Sequence, residues 1–514
     1  MKLNRLYKGL LMGAITFTMA TSCSEDFLET SPTSLLEESK VIGAMQADLE
    51  KVQAYVTGAY FNFYCGGDYW ASHDDFGIPA IKASTDLWGE DVAYTLDQNW
   101  FCYDYQLDNR QGSYRRCSST WNQLYSVIDY TNTIITMLKP TEEGDKPEEA
   151  AAIMLGEAYS LRAYCYFWLI NLWQHPYSVN PDALGIPLKL ENDFYRPERV
   201  PVKDIYTQIL EDIDLGYNYL EGKGFHNAKV GLSEYAAAAI YANILMFTGD
   251  YEDAAEYAKK AIEGGSLNSE ADMLSGFNSL DMPEVIWGYN VNNETTGYYA
   301  SFFSHFDSYT FGYAGMDYNK MISSDLYDKI ADNDIRKQWF GLNEDYNLLD
   351  NSFEYEKNYG LEKFISNKYR DIYLTSGGSA GEFTSAIIYF RTAEMYYLAA
   401  EAYYLNEDET NALAMLNEVT STRIPDYKCT LSGEALYDEI CIQKRIEMWL
   451  EGCRALDMKR RGEIIDRTLS TNHADDLEYF NALQYTGHDY RLIYHIPTKE
   501  LENNPAITKE DDNE

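Results

Sequence analysis

The chain has 514 residues, with 41 basic against 82 acidic side chains and a net charge of −41. Such an acid excess excludes charge-driven binding to nucleic acid or anionic lipid. A hydrophobic fraction of 46%, with 46 Tyr, 21 Phe and 9 Trp, excludes a disordered chain and leaves ample apolar surface for a core.

The first 22 residues read as a secretion signal. Lys2, Arg5 and Lys8 precede an apolar run from Leu10 to Ala20, which is too short to span a bilayer as a helix. The stretch Ala20-Thr21-Ser22-Cys23 resembles a bacterial lipoprotein processing site, with alanine at 20 where leucine is usual. That resemblance implies cleavage before Cys23 and acyl chains on its sulfur. Two or more chains anchor firmly, because each buried CH₂ contributes roughly 0.8 kcal/mol. Glu25 and Asp26 resemble the tag that exports some lipoproteins to the cell surface. Residues 23–40 then read as a tether.

Seven cysteines follow Cys23 without a Cys-x-x-Cys pair or metal-ligand spacing, so no disulfide framework is expected. One bridge among Cys65, Cys102 and Cys117 is left open. Cys165, Cys441 and Cys453 lie in apolar helical contexts, where cysteine acts as a small hydrophobe.

Helical spacing is predicted from Met45 to Tyr64. It is lost over 65–120, where glycine, aspartate and aromatic residues mix without a period. It resumes at Trp121 to Leu138 and again at Ala150 to Trp173, which His175-Pro176 ends. A connector with Pro176, Pro181, Pro187 and Pro197 leads to an amphipathic helix at Val202–Leu220. Leu232–Phe247 with Tyr251–Glu263, and Arg391–Leu405 with Thr410–Val419, read as two helical hairpins. Alanines line the first helix of each. These hairpins resemble tetratricopeptide units, which stack into solenoids. Residues 264–390 form a second irregular zone. Strands are expected at Glu284–Tyr289 and Ser385–Phe390, and eight aromatics lie between Tyr298 and Tyr313. Ala435–Arg461 reads as a helix, with Ile442, Ile446, Trp449, Cys453 and Leu456 as its stripe and with Gly452 as a point of close packing or a bend. Exposed pairs are predicted between Glu451 and Arg454 and between Arg454 and Asp457, with Asp457 also within reach of Arg460 or Arg461, each adding about 0.2–0.5 kcal/mol.

Several of these segments together resemble the SusD/RagB family. The signature is Arg445-x-Glu447…Glu451-Gly452-x-Arg454-x-x-Asp457-x-x-Arg460. Arg391-Thr392-Ala393-Glu394 through Ala402, Gly156-Glu157-Ala158 through Tyr164, Trp121 with Tyr125, Ile128 and Asn132, and Ile496-Pro497…Glu500…Asn504-Pro505 agree with it. Lys444 departs where glutamate often stands, as does Thr508-Lys509 where the family often has Gln-Asn. The resemblance implies a mainly α fold: a tetratricopeptide-like scaffold with long, loop-rich insertions and few short strands. It divides the mature chain into a helical region 41–284, with an aromatic insertion at 60–120, and a region 285–514, with an insertion at 285–390. It further implies a surface-exposed, lipid-anchored protein of the outer membrane. Such a protein has no catalytic role and no cofactor. It captures a glycan and delivers it to a SusC-like TonB-dependent transporter.

The ligand site is expected in the two aromatic zones, because ring faces suit the C–H face of a pyranose and nearby polar groups suit its hydroxyls. The candidates are Trp70, Trp88, Tyr94, Asn99 and Trp100 from the first zone and Tyr298, Tyr299 and Phe306 from the second. Tyr103, Tyr105, Phe302, Asp74, Asp86, Arg110, Asn292, Asn293 and His305 are further candidates. Most of these rings are expected to pack loops, and only a few to meet ligand. Two other functions fit the same scaffold: a glycoside hydrolase using carboxylates such as Asp68, Asp74, Asp75 or Asp86, or a binder of peptide or another nutrient. Gly377-Gly378-Ser379-Ala380-Gly381 matches G-x-S-x-G but lacks the strand–turn–helix that a nucleophile elbow needs. Asp332-Asn333-Asp334 lacks the rest of a Ca²⁺ loop and reads as a solvated turn.

Overall fold

The computed structural model describes residues 49–65, 72–94, 100–140, 146–192, 196–316, 319–343, 354–372 and 382–513. The chain divides into Met1–Lys51 and a compact unit, Val52–Glu514, and only the second is considered below. The signal segment, Cys23 and the tether, Trp70, Asn99 and the Gly377–Gly381 loop lie outside the described residues.

The principal elements are α1 (Leu49–Cys65), α2 (Ile78–Asp86), β1 (Val92–Ala93), α3 (Arg115–Leu138), α4 (Glu149–Trp173), β2 (Leu184–Pro187), β3 (Arg199–Pro201), α5 (Val202–Leu220), α6 (Glu234–Thr248), α7 (Tyr251–Ile262), β4 (Val285–Tyr289), α8 (Phe302–Phe306), β5 (Met321–Ile322), β6 (Ile387–Arg391), α9 (Thr392–Leu405), α10 (Glu409–Ser421), α11 (Glu434–Glu447), α12 (Arg454–Arg461), β7 (Ile464–Asp466) and β8 (Gln484–Thr486). The strands make four two-stranded antiparallel ladders, β1–β5, β2–β3, β4–β6 and β7–β8. The protein is therefore mainly helical, with few short strands, as the resemblance implied.

Helix α3 packs on α4, α4 on α5, α6 on α7, α7 on α9, and α9 on α10 and α11. Small residues set how closely these helices approach. A Cβ at Gly156 of α4 would stand 2.6 Å from the Leu220 side chain and 3.1 Å from the Gly216 carbonyl on α5. The alanines of α6 (Ala236 to Ala239 and Ala242) are fully buried. One ionic contact then fixes the register of three helices. Arg162 on α4 donates to both carboxylate oxygens of Asp212 on α5, at 2.7 and 2.6 Å, and to Asn132 on α3 at 2.8 Å.

Two differences from the sequence reading bear on the signature segment and its docking. Helix α2 lies inside the zone read as aperiodic, and every one of its residues is buried. A helix buried on all sides has no polar face to reveal its period. The helix expected over 435–461 is two helices. It stops at Glu447 and restarts at Arg454, and Leu450 (φ 60°) and Gly452 (φ 82°) between them adopt left-handed backbone. The side chains of Glu447 and Glu451 turn inward. Glu447 accepts from Arg391 at 2.6 Å and from Arg336 and Arg423 at 3.2 Å. Glu451 accepts from Lys368 at 2.6 Å and Arg391 at 2.8 Å. Arg454 donates to Glu90 and Glu463 in place of Glu451 and Asp457. The signature charges are therefore interior groups, not exposed helix pairs. Burying such a cluster is tolerated because almost every charge meets an opposite one with hydrogen-bond geometry.

All seven described cysteines are free thiols, Cys65, Cys102 and Cys117 among them. Of the acidic triplet, Asp334 pairs with buried Arg336 at 2.7 Å, and Asp332 is exposed near Lys337 at 3.7 Å.

Candidate ligand-binding surface

The two aromatic zones meet. The first contributes His73 and Trp100, and the second contributes Tyr298, Tyr299 and Tyr313. The His73 ring lies 5.2 Å from Trp100, 5.9 Å from Tyr299 and 5.6 Å from Tyr313. Tyr299 stands 5.8 Å from Tyr313 and 4.8 Å from Tyr298. Tyr298 and Tyr299 are 42% and 39% exposed, while Trp100, His73 and Tyr313 are half-buried. Ring faces so placed offer apolar contact with polar edges beside it.

The support beneath is rigid. His73 Nδ1 hydrogen-bonds the Tyr313 hydroxyl. His305, buried in α8, stacks on Tyr313 at 4.8 Å and donates Nε2–H to the His73 carbonyl at 2.8 Å. Burial and the nearby Lys320 hold His305 well below its ordinary pKa, so it is a neutral spacer. Lys320 is itself buried, with its ammonium 5.1 Å from the Tyr94 ring, 5.6 Å from Phe306 and 5.7 Å from Phe101.

Three aromatic residues at or directly beneath this surface have left-handed backbone: the buried Phe101 (φ 77°) and Phe383 (φ 53°) and the exposed Tyr298 (φ 51°). Each costs on the order of 1–3 kcal/mol and persists only where surrounding contacts enforce it. Phe101 follows Trp100, Tyr298 precedes Tyr299, and the Phe383 ring lies 5.0 Å from Tyr298. Thr296 ties the last pair together. Its hydroxyl donates to the Phe383 carbonyl at 2.9 Å and accepts the Tyr298 N–H at 3.2 Å.

Of the expected ligand residues, Trp100, Tyr298 and Tyr299 come together here. Trp88, Tyr94 and Phe306 do not, because all three are buried. Trp88 packs edge-on against Tyr494 at 5.6 Å and Tyr94 edge-on against Tyr105 at 5.9 Å, while Phe306 lies tilted against Phe302 at 4.7 Å. These rings hold the loops on the scaffold. His73 and Tyr313 were absent from the expected set. The only trace of them in the sequence is their place beside Asp74 and at the end of the aromatic run.

The polar candidates are also engaged elsewhere. Asp74 pairs with Arg115 and Arg116. Arg110 donates to the Ile493 carbonyl at 2.8 Å, and Asn292 closes its own turn with Thr295. Asp86 accepts the N–H groups of Gly452 at 2.7 Å and Arg454 at 3.1 Å. Burial raises its pKa to about 7 against those two bonds.

The family described as "starch-binding associating with outer membrane", a SusD-like group, matches residues 26–246, and the SusD family matches residues 305–512. A SusD-like protein of Bacteroides ovatus is 21% identical over 282 residues, 53% of this chain and 46% of that protein. The match thus spans about half of that relative's length. A SusD superfamily protein from Bacteroides thetaiotaomicron has the same fold, with a TM-score of 0.76 and 22% identity over 91% of this chain and 99% of that one. Surface glycan-binding protein A of the same organism, solved with laminarihexaose, superposes with a TM-score of 0.66 at 15% identity, covering 90% of this chain and 99% of that one. A stacked helical-hairpin scaffold carrying loop-borne surfaces defines the class, and the sequence matches make the assignment: the chain belongs to the SusD/RagB family.

Proposed function

We propose that this protein is a cell-surface lipoprotein that binds a glycan without cleaving it and passes it to a TonB-dependent outer-membrane transporter. One observation carries the binding reading: rings from two distant aromatic zones converge at Trp100, His73, Tyr299 and Tyr313 on a surface with enforced backbone. The family description and a relative solved with laminarihexaose support a carbohydrate as the ligand. Non-catalytic binding is favoured over hydrolysis because Asp74 and Asp86, two of the leading catalytic suspects, are buried and committed to arginines and backbone N–H groups. The signal pattern and Cys23 supply the anchor in this reading, and the family's association with the outer membrane supplies the location.

Affinity electrophoresis in polysaccharide gels, paired with a reducing-sugar assay, tests it. Retardation without sugar release is expected, with retardation strongly weakened in W100A/Y299A. Sugar release, or binding of peptides but of no glycan, overturns it. Co-purification of a large β-barrel from membranes and loss of acyl labelling in C23S test delivery and anchoring.

A further inference from the structure

A second cleft, sharing no residue with the aromatic surface, opens between α3, the proline-rich connector and the C-terminal segment. It has a volume of about 380 Å³, within the roughly 300–1,000 Å³ of small-molecule sites. Trp121 and Tyr125 lie together in its lining, with ring centroids 4.7 Å apart. Asn122 is exposed in it. Two ion pairs flank it: Lys189 with Asp129 at 2.9 Å, and Arg196 with Glu500 at 4.0 Å.

Both walls are pinned, so the cleft exists before any ligand arrives. The Tyr125 hydroxyl donates to the Pro187 carbonyl at 2.7 Å, and the Tyr166 and Asn132 side chains both donate to the Lys189 carbonyl, at 2.7 and 3.0 Å. On the other side, Asn504 donates to the Pro197 carbonyl at 3.0 Å. A preformed site avoids the ordering cost of binding.

The chemistry selects the ligand. Among the described lining residues, the two cations, Lys189 and Arg196, are each paired with a carboxylate, so donors and acceptors stand side by side. Tyr125, partly exposed and backed by the buried Trp121, presents a ring that suits an apolar C–H face. We infer that this cleft is a second binding site, for a neutral polyhydroxylated ligand of one or two pyranose rings. It stands independently of the aromatic surface.

Calorimetric titration of the W100A/Y299A chain with neutral methyl hexosides and disaccharides tests the inference, with glucuronate and lysine as charged controls. Saturable binding of a neutral sugar is expected. It should fall at least tenfold in N122A/D129A, and in a separate R196Q variant, with melting temperature unchanged and little effect of added salt. Absence of binding once Trp100 and Tyr299 are removed overturns the second site and leaves the first intact. Binding of the charged controls alone, or binding indifferent to both cleft variants, also overturns it. Loss of all sugar binding when N122A/D129A is made in the otherwise unchanged chain, with Trp100 and Tyr299 still present, refutes the aromatic surface instead.

Discussion

Asp86 accepts the backbone N–H of Gly452 at 2.7 Å across 366 positions of sequence. This bond joins α2, hidden in the first aromatic zone, to the break between α11 and α12. The same carboxylate accepts the N–H of Arg454, the first residue of α12, and so satisfies donors that a helix start leaves unpaired. The break in the signature helix is therefore a docking point for the loop zone.

Replacing Asp86 with alanine should leave two buried N–H groups without acceptors, at about 1–3 kcal/mol each. Gly452→Ala should also destabilise, because its φ of 82° disfavours a side chain and a Cβ there would meet Lys82. Chemical denaturation measures both. An unchanged midpoint in D86A would refute the docking role.

The Glu447 carboxylate is the hub of the interior charge cluster. Burial alone would raise its pKa, but Arg423, Arg391 and Arg336 outweigh burial and hold it well below the ordinary value of 4.5. Its folded pKa is depressed, so its contribution is present above about pH 4.5 and is lost as the pH falls toward the folded value. E447Q should cost about 3–5 kcal/mol at pH 7, because three arginines lose a buried partner. It should also flatten the fall in stability below pH 4.5. Denaturation midpoints from pH 3 to 8 check both.

Core and surface rings should separate cleanly. F306A or W88A should cost about 3–5 kcal/mol in stability. W100A and Y299A should change stability by less than about 1 kcal/mol, as partly exposed sites do, while strongly weakening glycan retardation. Thermal melts beside affinity gels read both effects.

Gly156→Ala should force α4 from α5, costing about 1–3 kcal/mol as overpacking does, since the added Cβ would meet Leu220. Val202–Leu220, which the sequence read end to end, carries the facing glycine, Gly216. A double variant with L220A should recover part of the loss, measurable as a coupling energy.

The amphipathic helix α5 was legible to its last residue because one face is buried and the other is wet. Helices α4 and α9, buried throughout Met154–Trp173 and Thr392–Ala402, were legible by their length and their alanine-rich apolar content. Helix α2 was invisible because it is only nine residues long and all of them are buried, so neither length nor a polar face marks it. The 435–461 helix was overread because periodicity records apolar spacing, and it cannot see Glu447 and Glu451 drawn inward by arginines far away in sequence.

The sequence by itself determined the family, the helical scaffold and the two zones where the aromatics concentrate, since these follow from local spacing and short motifs. Tertiary structure decided which rings are core and which are surface. Trp88, Tyr94 and Phe306 have the same chemistry as Trp100 and Tyr299, and only long-range packing removes the first three from water. It also decided the fate of Asp74 and Asp86, because a carboxylate's role depends on the donors that folding brings within 3 Å of it.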